Sequence, residues 1–135
     1  MANKTIKIFC DGGSRGNPGP AAAGVVFLTS DNKLIAEYNE YLGIQTNNFA
    51  EYRAVTLALD NLGEYKKCKI EFYLDSMLVV KQLNGEYKVK NANIKPLYQD
   101  IVGKLAGLEV SFTHVYREDN KLADEQVNIC LDSHT

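Results

Sequence analysis

The chain has 135 residues, 45% of them hydrophobic and 24% charged, with a formal net charge of −2 at pH 7. That is an ordinary globular composition, long enough to bury roughly two thirds of the unfolded surface in one domain. The charge balance argues against a protein that grips nucleic acid by net charge alone, and no run approaches the ~18 apolar residues of a membrane span. Met1-Ala-Asn-Lys has no signal-peptide core behind it. The expectation is one cytoplasmic domain over 1–135, monomeric and without a membrane partner.

The first element is "TIKIFCD" (5–11), an alternating apolar run that reads as a strand ended by the glycines after Asp11. "AAAGVVFLTS" (21–30), the turn "DNK" and "LIAEYNEYLG" (34–43) read as a hairpin. From Thr46 the period changes. Thr46 or Asn47 caps a helix through "FAEYRAVTLALDNLG", stopped by Gly63. "KIEFYLD" (69–75) returns to strand alternation, and "SMLVVKQLNG" (76–85) is a short helix. After the connection 84–93, "NIKPLYQDIVGKLAG" (93–107) is a helix with Pro96 in its first turn, where a missing N–H costs little. "EVSFTHV" (109–115) is a last strand and "NKLADEQVNICLD" (120–132) a last helix. The order βββ-α-β-α-α-β-α gives an α/β fold. Its five-stranded mixed sheet has three antiparallel strands, then parallel additions through right-handed crossovers, with helices on both faces.

Two features have plain readings. Cys10, Cys68 and Cys130 are odd in number, widely spaced and without metal-binding spacing, so buried reduced thiols are expected; a Cys68–Cys130 bridge is the alternative. Lys81, Lys88, Lys90 and Lys95 surround the single acid Glu86. They form either a solvated loop or an edge that meets phosphates.

Four acids stand in unusual positions. Asp11 and Asp75 each end an apolar strand, at the tips where ligand sites gather in α/β sheets. If those strands are parallel neighbours, the carboxylates lie side by side. Glu51 shares a helical stripe with Val55, Ala58 and Leu62, and Asp124 shares one with Val127 and Leu131. Both are read as first-turn acids at the helix ends that reach the strand tips. Taken singly, Asp11 also reads as a turn residue, Asp75 as a helix cap, and Glu51 and Asp124 as acids favoured by the helix dipole. Their convergence on one sheet edge favours a site. Packed carboxylates repel and raise one another's pKa, and a cation removes the conflict. All-oxygen ligands without His or Cys select Mg²⁺ or Mn²⁺. Two such ions ~4 Å apart are the recurrent apparatus for splitting a phosphodiester.

The segments "DGGSRGNPGPAAAG", "TNNFAEYRA", "YLDSMLVVKQL" and "HVYREDNKLAD" together resemble the type 1 ribonuclease H family, over nearly the whole chain and in the family's order. The resemblance implies that Asp11, Glu51, Asp75 and Asp124 are the catalytic residues and bind two Mg²⁺ ions, with Mn²⁺ able to substitute. Water would then cleave the RNA strand of an RNA/DNA hybrid, leaving a 3′-hydroxyl and a 5′-phosphate. It also implies hybrid contacts from the backbone of Gly12, Gly13 and Ser14 and from the side chains of Asn17, Asn47 and Asn48, with Thr46 on a DNA phosphate. A 2′-hydroxyl both donates and accepts, so amides and backbone groups suit that task.

The sequence departs from the family pattern twice. Some members carry a long basic protrusion, where this chain has only "NGEYKVKNAN" (84–93). Weaker, more salt-sensitive hybrid binding is expected, with Lys88 and Lys90 partly substituting. Some members also place a mobile histidine before the last aspartate. His114 instead lies within a strand, as a structural residue or a site-edge group, and Arg117, Glu118 or Asp119 are the alternatives for the mobile role. Tyr52 is read as packing and His134 as an uninvolved tail residue. The competing functions are a non-catalytic hybrid-binding module and a related metal-dependent nuclease acting on other duplexes.

Overall fold

A computed structural model describes residues 4–134. Met1–Asn3 and Thr135, and with them the reading of the amino terminus, lie outside the described residues. The strands are β1 (Thr5–Ser14), β2 (Gly19–Thr29), β3 (Leu34–Gln45), β4 (Lys69–Leu74) and β5 (Glu109–His114). The helices are α1 (Asn47–Asp60), α2 (Met77–Leu83), α3 (Lys95–Leu105) and α4 (Lys121–Asp132). The sheet order is β3-β2-β1-β4-β5: β2 lies antiparallel to β1 and β3, and the pairs β1–β4 and β4–β5 are parallel. The five-stranded mixed sheet expected from the sequence is therefore present. Among the described residues no helix is long and apolar enough to cross a membrane.

The central strands are built for burial on both faces. β2 reads GPAAAGVVFLT and is buried from Ala21 to Leu28, as a strand covered on two sides must be. On one face, Ile6, Ile8 and Cys10 of β1 and Ile70, Phe72 and Leu74 of β4 join Tyr52, Val55 and Ala58 of α1 in the main core. Each fully buried large apolar side chain there stabilises the fold by ~1.5–3 kcal/mol. The other face carries α4, which packs Val127, Cys130 and Leu131 on Ala22. Successive strand residues point to opposite faces, so Phe9 and Tyr73 leave the main core and stack at 4.8 Å on the α4 side.

Local chemistry sets the helix starts. The Thr46 hydroxyl accepts from the Phe49 N–H at 3.1 Å and caps α1. The Ser76 hydroxyl accepts from the Val79 N–H and caps α2. Asp75 is thus released from the capping role its position suggested.

Several expected boundaries move. β1 does not stop at Asp11: Gly12, Gly13 and Ser14 pair with Ala23, Ala22 and Ala21, because small residues on both strands let the ladder continue. α1 ends at Asp60, and 63–67 form a 3₁₀ turn, so Leu62 is buried from beyond the helix. Cys10 and Cys130 are buried, Cys68 is half-buried, and all three are free, so the Cys68–Cys130 bridge is not formed. Burial, with the charges of Glu51 and Asp11 beyond it, pushes the Cys10 thiol well above its usual range and keeps it inert. His134 is not an uninvolved tail residue: its ring stacks on Tyr41 at 4.0 Å and its Nδ1 lies 2.9 Å from the Cys130 carbonyl.

Candidate active site and metal centre

The site follows from unequal strand lengths. β4 pairs with β1 only as far as Cys10, whereas β2 continues to Ser14. Past the Cys10–Leu74 pair, the β1 edge on the β4 side has no strand partner, and buried backbone groups require one. Side chains supply it. The Gly12 N–H donates to Glu51 Oε1 at 2.7 Å, the Ser14 N–H donates to Asn47 Oδ1 at 2.8 Å, and the Cys10 carbonyl accepts from Asn120 Nδ2 at 2.9 Å.

The register brings the acids together. Cys10 pairs with Leu74, so Asp11, the next residue of β1, and Asp75, the residue that follows β4, stand side by side. Strand alternation turns Asp11 toward the α4 face, where Asp124 lies in the first turn of that helix. Glu51 comes from α1 on the opposite face. It reaches the others because Gly12 has no side chain: a Cβ there would lie 2.1 Å from the Ala50 carbonyl carbon. Glu51 belongs to the second turn of α1, not the first, since the helix begins at Asn47.

Oxygens of Asp11, Glu51 and Asp75 all lie within 4.8 Å of one another. Asp124 borders the same cleft, of about 450 Å³, with its Oδ2 accepting from Asn128 at 3.4 Å. Burial pushes the Asp11 carboxyl up to about 7, and the charges of Asp75 and Asp124 add to it against a hydrogen bond with Glu51. Burial also raises Glu51, followed by the Asp11 charge, and only the Gly12 N–H bond opposes the shift. Glu51 Oε2 is buried with no hydrogen-bond partner. A desolvated acidic cluster with an orphaned oxygen has the donor chemistry of a hard divalent cation, and the residues fit Mg²⁺ or Mn²⁺.

Residues 9–130 match the family model described as "Reverse transcriptase-like". The crystal structure of LC11-RNase H1 in complex with an RNA/DNA hybrid superposes with a TM-score of 0.91 at 38% identity, covering 96% of this chain and 98% of that one. RNase H1 of Halobacterium salinarum gives a TM-score of 0.89 at 37% identity, with 96% and 98% covered. The chain belongs to the type 1 ribonuclease H family. In sequence, the ribonuclease HI of Halobacterium salinarum is 38% identical over 94% of this chain. A bifunctional protein of Mycobacterium tuberculosis is 36% identical over 95% of it. The chain spans 64% of the length of the first and 36% of the second.

The residues that the family resemblance places toward a substrate are already bonded to one another. Asn17 Oδ1 accepts from the Asn47 N–H at 3.0 Å, and Asn47 Oδ1 accepts from Ser14. Both side-chain oxygens are therefore engaged within the loop, and the amide nitrogens are the donors left for a ligand. Asn48 is half-buried beside them, and Thr46 is exposed at the helix cap. Gly12, Gly13 and Ser14 border the cleft with the acids.

Of the residues considered for the site edge, Arg117 borders the cleft. Glu118 and Asp119 line a separate pocket with Phe9 and Lys121. His114 ends β5 with its ring edge-on to Tyr116 at 5.6 Å. Tyr52 is fully buried and its hydroxyl bonds Gln82, so it packs as expected. Lys88 and Lys95 border a groove of about 360 Å³ with Tyr87 and Tyr98, while Lys81 pairs with Glu86 at 3.3 Å.

Two participants had no distinct signal in the sequence. Arg15 borders the cleft and pairs with Asp132 at 2.7 Å, tying the 15–18 loop to the end of α4. Asn120 is buried and touches Asp75. Its one sequence mark is its place four residues before Asp124, the spacing that lets its carbonyl accept the Asp124 N–H at 3.1 Å.

Proposed function

We propose that the protein is a divalent-metal-dependent endonuclease that hydrolyses the RNA strand of RNA/DNA hybrids, leaving 3′-hydroxyl and 5′-phosphate ends. The observation that carries this reading is the convergence of Asp11, Glu51 and Asp75 within 4.8 Å, with Asp124 on the same cleft and a buried Glu51 oxygen unpartnered. A binding module without chemistry has no use for desolvated negative charge beside a polyanion. The relative solved with a bound RNA/DNA hybrid supports the substrate class.

In this reading the four acids hold two Mg²⁺ ions, with Mn²⁺ able to replace them. When bound, the ions supply an activated water and stabilise the leaving oxygen. The remaining work belongs to the chain. Asp11 within β1 and Asp75 directly after β4 follow the paired residues Cys10 and Leu74, so the sheet fixes their separation. The Gly12 N–H anchors Glu51. The Asn17 and Asn47 amide nitrogens donate to hybrid oxygens, 2′-hydroxyls among them, while Asn48 and the backbone at 12–14 complete that face. Thr46 contacts a DNA phosphate, and Arg117, at the border of the cleft, takes the site-edge role, with His114 and Glu118 as the alternatives. One domain over 1–135, acting as a cytoplasmic monomer, is the accompanying proposal.

The test is cleavage of an end-labelled RNA strand in an RNA/DNA duplex with Mg²⁺, Mn²⁺ or EDTA, beside DNA/DNA and RNA/RNA duplexes. Cuts confined to the hybrid's RNA and lost in EDTA are expected. Binding without cleavage would remove the enzymatic reading, and cleavage of RNA/RNA would remove the strand selectivity. Asn17→Ala is expected to raise KM for the hybrid by about tenfold, the value of one good hydrogen bond, with Mg²⁺ affinity unchanged by calorimetry. An unchanged KM would take Asn17 out of the contact face.

A further inference from the structure

Asn120 is 1% exposed and directly precedes α4. Its Nδ2 donates to the Cys10 carbonyl at 2.9 Å and to Asp75 Oδ2 at 3.3 Å. Both partners accept only, so the orientation of the amide is determined: turned over, it would set an oxygen against two oxygens. Through its own carbonyl it also receives the Asp124 N–H. One residue therefore touches the strand that delivers Asp11, the carboxylate of Asp75 and the backbone of Asp124.

Its other side-chain atom, Oδ1, is buried and has no hydrogen-bond partner. An asparagine selected only to stabilise this loop would have both ends satisfied, because an orphaned buried acceptor is unfavourable. Here the donor end is used twice, once on the Asp75 carboxylate and once on the Cys10 carbonyl next to Asp11, while the acceptor end is left unpaired.

We propose that Asn120 is a positioning residue that fixes the rotation of the Asp75 carboxylate for the divalent cation. By occupying Oδ2 it leaves Oδ1 as the free oxygen of Asp75. By bonding Cys10 it ties that orientation to the end of β1. The inference rests on the metal-dependent reading of the site, and it concerns the cation before the substrate.

The test uses the full chain with Asn120→Ala and Asn120→Asp. Mg²⁺ binding is followed by calorimetry without nucleic acid, and kcat and KM with the hybrid. Asn120→Ala is expected to weaken Mg²⁺ binding at least fivefold and to lower kcat tenfold or more, the usual range for a residue orienting a metal ligand, with KM for the hybrid within twofold. Asn120→Asp removes the donor and adds a like charge, so its losses are expected to be at least as large. A folded Asn120→Ala with Mg²⁺ affinity and kcat within twofold of the unaltered chain overturns the proposal, whatever its melting temperature. Should neither variant fold, the Asn120 side-chain amide resonances of the unaltered chain decide the matter. They are expected to move on addition of Mg²⁺ and in Asp75→Asn, and unmoved resonances overturn the assignment. If the unaltered chain binds Mg²⁺ but cleaves no hybrid, the ribonuclease reading fails while calorimetry and resonances still judge Asn120.

Discussion

Asp11→Asn is expected to lower hybrid cleavage by about a thousandfold or more, the scale seen when a member of a catalytic group is removed, and to raise the melting temperature of the metal-free protein at pH 7.5. Both effects have one cause. Asp11 is buried among Glu51, Asp75 and Asp124, and its pKa stands at about 7 in the folded protein, against ~3.9 in an unfolded chain. Between those values the folded state holds a proton that the unfolded state has lost. Stability contributed by this group is therefore present below about pH 4 and lost as pH rises to about 7. Glu51, also raised by burial, acts in the same direction. Asparagine cannot ionise, so the variant keeps at pH 7.5 what the carboxylate forfeits, a gain of about 5 °C for a domain of this size.

Mg²⁺ gives the complementary result. A cation that binds the folded state alone raises its melting temperature by mass action, and Asp11→Asn is expected to lose most of that increment. Melting curves in EDTA and in Mg²⁺ from pH 4 to pH 8 check all three statements. A metal-free melting temperature independent of pH over that range would mean that the acids are hydrated and uncoupled. A variant with the parent's cleavage rate would remove Asp11 from the site.

Much of this arrangement is legible in the sequence because it rests on periodicity. Alternation in 69–75 puts Ile70, Phe72 and Leu74 on one face and turns Asp75 away from it, and the 3.6-residue period exposes Glu51 as an acid on an apolar stripe. The parallel pairing of β1 with β4 follows from topology rules, and with it the meeting of Asp11 and Asp75. The details that escape pattern reading depend on partners distant in the chain. Asn17 meets Asn47 across 30 positions, and Asn120 meets Cys10 across 110. Neither pair has a spacing to recognise. The stop assigned to β1 at the glycines failed for a related reason. Glycine usually punctuates, but here it pairs with a run of alanines on β2 whose small size only the three-dimensional register makes relevant.

The adjacent glycines of "DGG" are expected to differ sharply. Gly12→Ala should destabilise the protein by ~3 kcal/mol, at the upper end for an overpacked core, lowering the melting temperature by about 10 °C. Gly13→Ala should change it by no more than ~0.5 kcal/mol. Backbone strain does not separate the two, since neither requires a positive φ. The difference lies in what a methyl group would strike. At Gly12 it falls 2.1 Å from the Ala50 carbonyl carbon and 2.3 Å from the Glu51 nitrogen, both backbone atoms of α1. At Gly13 it meets Val127 Cγ1 at 3.5 Å, an ordinary contact. Small residues Ala50, Ala54 and Ala58 are among those α1 buries, and the atoms struck at Gly12 are backbone rather than the ends of flexible side chains, so the helix must move as a body. That movement carries Glu51 away from the Gly12 N–H and from Asp11, so Gly12→Ala is also expected to lose cleavage beyond what its unfolded fraction explains. Urea denaturation with single-turnover kinetics on the folded fraction measures the two losses separately. Equal stability of the two variants would refute the close approach of α1 to β1, and an intact single-turnover rate would refute the passage of Glu51 across Gly12.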